Sequence, residues 1–206
     1  SFSHNLTISG VISEDGTPRT LRKGGTGATL TLTGENVFLG QMQINVGIVS
    51  VDRMENIGQP SPLGAGNLPV RLGTGALYGI LLYTGTGETS NRYFQVGSGP
   101  NTVATGTGWV TANGSGPLVF TAAGRDPTHP SYGNDYFNQN DGVVTSPGRM
   151  LTLNGTNTGD NEIQTVIIDN VNTTVGANLG RVSPVALTKA GSGKWILSGT
   201  NTYTGT

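Results

Sequence analysis

The stretch AAGRDPTHPSYGNDYFNQNDGVVTSPG, residues 122 to 148, gathers the chain's densest set of side chains able to contact a ligand. Asp126, Tyr132, Asp135, Tyr136, Asn138 and Asp141 stand there together with Arg125, His129, Phe137 and Asn140. Aromatic rings offer flat apolar faces to sugar C–H groups, and carboxylates and amides accept hydrogen bonds from hydroxyls, so this mixture suits carbohydrate recognition. Those first six residues are the candidate ligand contacts. The plainer alternative is a solvated loop whose rings pack back onto the body of the protein.

Other chemistries fit the residues less well. A calcium loop of the EF-hand kind needs acids at alternating positions before a glycine, and Asp135, Asn138, Asn140, Asp141 and Gly142 miss that spacing. The calcium-binding nonapeptide G-G-x-G-x-D is absent as well, although GTNTGDN, residues 155 to 161, offers Asp160 in a Gly/Asn turn. Glycan hydrolysis or elimination needs two or three carboxylates on one face. Only 12 acids exist, and the pairs Glu14 with Asp15 and Asp160 with Glu162 fall in turns at opposite ends. Asp126, Asp135 and Asp141 converge only if the long loop folds back, which keeps a polysaccharide-degrading enzyme as the alternative reading. Glu88 and Arg92 stand four apart in YTGTGETSNRYF, residues 83 to 94, where the Gly and Thr content reads as a turn held by an ion pair. With no cysteine there is no disulfide, zinc thiolate or thiol nucleophile, and two histidines leave little imidazole chemistry. The expectation is no enzyme, no metal and no cofactor.

Charge narrows the partners. A chain of 206 residues with 11% charged residues and a net charge of -1 has little grip on phosphate, so nucleic acid is not an expected partner. No apolar run approaches the roughly 20 residues that span a bilayer, so no membrane insertion by this chain is expected. The opening SFSHNLTISG lacks a basic segment followed by an apolar one, and no signal peptide is read there.

What positions these residues is a set of short strands. Period-two alternation bounded by Gly, Asn and Pro recurs at 6–12, 28–34, 41–51, 68–72, 78–85, 92–97, 107–112, 117–122, 149–155, 162–169 and 194–199. Apolar residues nowhere recur at helical spacing for three turns, so the chain reads as all-β. Self-similarity then decides the architecture. KGGTGATLTLTGENVFLG (23–40) matches KAGSGKWILSGTNTYTGT (189–206): Lys23 aligns with Lys189, Leu30 with Trp195, Leu32 with Leu197, Asn36 with Asn201, Phe38 with Tyr203. ISGVISED (8–15) and IQTVIIDN (163–170) precede the two copies, and LTLNGTN begins at residue 151 as a third echo. A sandwich has no reason to repeat a strand-plus-turn unit, whereas a solenoid meets the same packing problem in every coil.

The two copies resemble the autotransporter-associated β-strand repeat, also called the passenger-associated transport repeat, with its pattern G-x-G-x-L-x-L-x-G-x-N-x-Y-x-G. Gly191, Gly193, Trp195, Leu197, Gly199, Asn201, Tyr203 and Gly205 fill it once; Gly25, Gly27, Leu30, Leu32, Gly34, Asn36, Phe38 and Gly40 fill it again with one insertion. The resemblance implies the passenger of a bacterial surface protein, structural or adhesive, with no catalytic residues in the motif. No outer-membrane barrel follows the second copy, so self-translocation by these residues is not expected.

The reading is therefore a right-handed parallel β-helix, a single domain over 1–206 with a loop insertion at about 122–148 and repeats at 23–51 and 189–206. Solenoid repeats of known kinds imply roughly eight to ten coils of about 20 to 25 residues each. Leu30, Leu32, Val46, Ile48, Leu81, Val110, Leu118, Phe120, Leu151, Leu153, Val166, Ile168, Trp195 and Leu197 should point inward. The expected location is extracellular or at the cell surface. Expected partners are further solenoid ends, stacking into filaments, and surface carbohydrate.

Overall fold

The computed structural model describes residues 4–75, 77–97, 107–121, 148–171 and 182–206. Its strands are short because Gly and Asn interrupt the alternation every few residues. In chain order they are β1 (Leu6–Ile8), β2 (Leu21–Lys23), β3 (Thr29–Leu32), β4 (Met42–Ile44), β5 (Gly47–Val51) and β6 (Val70–Leu72). Then come β7 (Tyr78–Tyr83), β8 (Glu88–Ser90), β9 (Phe94–Val96), β10 (Thr107–Ala112), β11 (Leu118–Phe120) and β12 (Arg149–Gly155). The last are β13 (Asn161–Ile163), β14 (Asn170–Val171), β15 (Val182–Ser183), β16 (Val185–Lys189) and β17 (Trp195–Leu197).

Three parallel sheets share these strands. Sheet one runs β1-β3-β5-β7-β10-β12-β16, sheet two β2-β4-β6-β9, and sheet three β8-β11-β13-β17; β14 and β15 form a small antiparallel pair. The chain visits β7, β8, β9 and β10 in turn, passing from sheet one to three to two and back to one. Parallel neighbours require a crossover, and here each coil is its own crossover, in the right-handed sense that twisted strands favour. The fold is a right-handed parallel β-helix. Among the described residues no helix is long and apolar enough to cross a membrane.

Sheet one has seven rungs among the described residues, below the expected eight to ten. Unequal coil length explains the difference: the coil that carries the chain from Leu30 to its neighbour Val49 is less than half as long as the one from Val110 to Leu153. Residues 52–69, between β5 and β6, are such a stretch within the described residues: they consume chain without adding a rung to sheet one.

Inside, like packs on like. Leu30, Val49, Leu81, Val110 and Leu153 stack in one column, and Leu32, Val51, Tyr83 and Ala112 in the next, all buried. Removing such side chains from water contributes roughly 1.5 to 3 kcal/mol each. Phe94 of β9 meets Phe120 of β11 edge to face, 4.9 Å between ring centres, tying sheet two to sheet three.

Alternation is legible in the sequence, but its phase is not always so. Ile48 points outward, because Gly47 turns the corner with φ of 80° and starts β5 so that Val49 and Val51 face in. That corner divides 41–51, read as one strand, into β4 and β5 on two sheets. In the run VIID (166–169) it is Ile167 that is fully buried, while Val166 and Ile168 are half-exposed. Trp195 and Leu197 do face inward, over Asn161 and Ile163, and are half-buried on the last described rung.

The two repeat copies also sit differently from the alignment's implication. Leu30 and Leu32 belong to sheet one, whereas Trp195 and Leu197 belong to sheet three. The motif thus encodes a corner rather than a face. Its lysine shows why: Lys23 Nζ donates to the carbonyls of Gly24 and Gly25, and Lys189 Nζ to those of Ala190 and Gly191. Each lysine satisfies the turn that follows it, whichever two sheets that turn joins.

Candidate functional site

The expected ligand contacts Asp126, Tyr132, Asp135, Tyr136, Asn138 and Asp141 lie outside the described residues. Their flanks are inside. Thr121 follows β11 and donates its N–H to Ser90 O at 2.9 Å; Arg149 opens β12 and donates to Pro184 O at 2.6 Å. The described strands on either side of residues 122–147 are β11 of sheet three and β12 of sheet one.

The described acids outside that stretch serve the coil. Glu14 accepts the N–H groups of Arg19 and Leu39, each at 2.7 Å, and Asp15 pairs with Arg19 at 3.3 Å. Asp160 pairs with Lys194 at 2.6 Å. Glu162 accepts the hydroxyl of Ser198 and the amide of Gln164, which hold its carboxyl below the usual carboxylate range. Asp169 accepts the N–H groups of Val185 and Thr204. Among the described residues no three metal-ligating side chains converge.

Glu88 and Arg92 sit at a polar centre of a different kind. Their spacing suggests a pair holding its own turn; both side chains instead reach the backbone of the preceding coil. Glu88 accepts the N–H of Met54 at 2.8 Å and of Glu55 at 2.5 Å. Arg92, 2% exposed, donates Nε to Met54 O at 2.7 Å and Nη2 to Gly64 O at 2.6 Å and Ser61 Oγ at 2.9 Å. One side chain thus serves the donors of the 54–64 loop and the other its acceptors. Burial pushes the guanidinium down to about 10, against the opposing pull of Glu88 and Glu55, so it stays charged at neutral pH.

Burial also pushes the Glu88 carboxyl up, more than its two N–H donors and Arg92 lower it. A carboxyl raised in the folded state holds its proton more firmly there than in the unfolded chain. Its contribution is therefore complete below the unfolded-state value and lost as pH rises through the folded-state value. Wild type should accordingly gain stability relative to Glu88→Gln between about pH 7 and about pH 4. Denaturant midpoints of both proteins across that range check it; a widening deficit toward acid would contradict it.

Asparagines at the corners act as struts between coils. Asn36 Oδ1 accepts Ile12 N–H at 2.8 Å from the coil before, and its Nδ2 donates to Pro62 O at 2.9 Å in the coil after. Asn161 repeats the arrangement with Leu118 N–H at 2.9 Å and Lys194 O at 2.8 Å, and Asn201 accepts Ile167 N–H at 2.9 Å. Asn36 and Asn161 are fully buried. These asparagines thus add side-chain bonds between coils to the backbone pairing: Asn36 and Asn201 stand in the repeats outside the named strands, and Asn161 opens β13. Asn161→Ala orphans groups in two coils and should cost about 2 kcal/mol, at the unmet-bond rate of roughly 1 to 3 kcal/mol. Urea unfolding measures it; a change under about 0.5 kcal/mol, the scale of an ordinary surface substitution, would remove the strut role.

One polar row escapes the sequence reading. LRK, MQI, VRL and FQV, the strands β2, β4, β6 and β9, place Arg22, Gln43, Arg71 and Gln95 in one register on the outer face of sheet two. Arg22 Nε donates to Gln43 Oε1 at 3.2 Å and Arg71 Nε to Gln95 Oε1 at 2.9 Å. The signal is the shared apolar-polar start of four tripeptides, which only the coil register aligns.

Stacked parallel rungs, corner struts and acids engaged in structural bonds define a parallel β-solenoid without a described catalytic centre. The comparisons agree with that class. A model of the passenger-associated-transport-repeat matches residues 21–51 and 187–206, both expected repeats with each copy starting slightly earlier. The adhesin BmaC autotransporter of Brucella suis biovar 1 (strain 1330) is 31% identical over 157 residues, 76% of this chain. The chain spans 4% of the length of that relative. No solved structure gives a significant match. The chain is a passenger-type β-solenoid that carries the passenger-associated transport repeat twice.

Proposed function

We propose that these residues form a non-catalytic structural and adhesive rod at a bacterial surface, extracellular in location. The observation that carries this reading is the corner motif set into an uninterrupted stack of parallel rungs. A stack in which each coil contacts only its neighbours extends without limit and suits a spacer that holds binding loops away from the cell. The likeness to a protein named as an adhesin supports the same role.

Residues 122–147 supply a carbohydrate-contacting loop in this reading, through Asp126, Tyr132, Asp135, Tyr136, Asn138 and Asp141. Deleting 125–146 and joining the ends with a short Gly linker should leave the far-UV β signal and the melting temperature largely intact, because a solenoid insertion stands outside the stack. The deletion should also abolish signals on a neutral-glycan array. Loss of folding would place the segment in the core and remove the basis for the contacts. A polysaccharide-degrading activity would show as reducing ends released from candidate glycans, and none is expected.

Self-association is the second part of the proposal. The outermost described rungs present half-buried Ile8 on one side and Trp195 and Leu197 on the other, edges suited to a further coil from another copy. Rods in electron micrographs, abolished by Ile8→Lys, are the expected result; a monomer at high concentration defeats it.

A further inference from the structure

We propose that the Asn113–Gly114 peptide is a site of covalent self-modification, where the fold promotes conversion of the asparagine amide to aspartate and isoaspartate with release of ammonia.

The chain holds two Asn-Gly pairs, Asn113–Gly114 and Asn154–Gly155. Glycine after asparagine leaves its backbone nitrogen open to approach, since no Cβ shields it. In the reaction the glycine nitrogen, deprotonated by hydroxide, attacks Cγ of the asparagine. The new N–C bond closes a cyclic imide, and negative charge gathers on Oδ1 as it forms. The Cγ–Nδ2 bond then breaks, and Nδ2 takes a proton from water and leaves as ammonia. Water opens the imide at either carbonyl, giving aspartate or the isoaspartate whose main chain runs through Cγ.

The surroundings of the two pairs differ. Asn113 is exposed, and its Oδ1 accepts the Thr156 N–H at 3.0 Å with Thr156 Oγ1 as a second donor at 3.4 Å. Donors aimed at an oxygen where charge develops lower the barrier, as in an oxyanion hole. The nucleophile is uncommitted: among the described residues no acceptor takes the Gly114 N–H. The chain on each side of it is pinned, by Asn113 N–H on Tyr83 O and Ser115 N–H on Gly85 O, each at 2.9 Å, and by Asn157 Nδ2 on the carbonyls of Gly114 and Gly116. Asn154, by contrast, is half-buried, and no described residue donates to its Oδ1.

The position in the stack gives the product its consequence. Thr156 lies one coil after Asn113, so their bond joins the corner after β10 to the corner after β12. An aspartate at 113 keeps an acceptor for both donors and adds a negative charge. Isoaspartate instead lengthens the main chain by one carbon. It does so in a corner where a Cβ on Gly114 or Gly116 would already overlap the carbonyl oxygens of Gly85 and Thr86. The lengthened corner is forced away from the coil before it.

The experiment holds the whole chain at mildly alkaline pH, folded and in urea, and follows both peptides by mass spectrometry, with isoaspartate separated from aspartate by chromatography. In the folded protein Asn113 should convert at least about tenfold faster than Asn154, within the roughly hundredfold or more that one oxyanion donor is worth in an enzyme. In urea the two should convert at similar rates, because each asparagine is followed by Gly and then by Ser or Thr. Thr156→Val, at an exposed position, should keep the far-UV signal and slow Asn113 about threefold in the folded protein, the weak end of a neutral hydrogen bond, with no effect in urea. The isolated isoaspartate form should melt below Asn113→Asp. Equal rates for the two asparagines in the folded protein, slower conversion of Asn113 folded than in urea, or an unchanged rate in Thr156→Val would each overturn the proposal. An isoaspartate form as stable as Asn113→Asp would overturn the consequence drawn for the corner.

Discussion

Arg92→Ala is expected to lower unfolding stability by about 3 to 5 kcal/mol, the cost of breaking a buried ionic group away from its partners. The expectation follows from the number of groups left behind. The carbonyls of Met54 and Gly64 and the hydroxyl of Ser61 lose the donors Nε and Nη2, and Glu88 loses the favourable charge of the guanidinium. Little water can replace the side chain, which is 2% exposed. Arg92→Lys should rescue only a minor part, since one ammonium cannot span acceptors that a planar fork reaches together. Denaturant unfolding of the three proteins measures this. A loss below about 1 kcal/mol for the alanine variant, the net worth of a single ordinary hydrogen bond, would mean the 54–64 loop holds itself.

That clasp shows where the sequence stops being readable. Glu88 and Arg92 are visible as a pair at a helical interval in a segment that cannot be helical. Their partners are carbonyls and N–H groups a full coil earlier in the chain, and backbone groups carry no sequence signature. The strands themselves are legible because alternation and glycine corners are local. So is the solenoid, because the Lys-turn-strand-Asn unit is written twice with its functional parts intact: Lys23 and Lys189 close turns, and Asn36 and Asn201 bridge coils.

What the repeat cannot convey is the sheet each copy occupies. The corner chemistry is the same between any two sheets, so the aligned Leu30 and Trp195 lie on different ones. Inward phase fails at Ile48 and at Val166 and Ile168 for a related reason. In a run of consecutive apolar residues period two has no polar partner to fix it, and the decision falls to a corner such as Gly47. The arginine row is hidden more completely. Each of its members is a whole coil away from the next in sequence, and because the coils differ in length no fixed spacing reveals the register.

The register also imposes an expectation at Gly79, where replacement by alanine should cost about 3 kcal/mol or more, at the upper end of overpacking penalties. Gly79 is paired with Gly47 in the strand before and Gly108 in the strand after, a column of three glycines along the margin of sheet one. There the wall of the coil turns from sheet two into sheet one, and the backbones of both approach closely. A methyl group on Gly79 would overlap the carbonyl oxygen of Ile44, whose bond from Gly73 N–H at 2.8 Å holds the end of β4 in place. The obstacle is backbone on both sides, so no rotamer change relieves it. Gly58→Ala provides the contrast: a Cβ there meets open space, and only the strain of a positive φ of 81° opposes it. If the margin of sheet one is as tight as this, Gly79→Ala should lower the thermal midpoint well beyond Gly58→Ala and weaken amide-exchange protection in β5, β7 and β10 together. Equal midpoints for the two variants would mean the coil can widen at that margin, and the glycine column would lose its structural meaning.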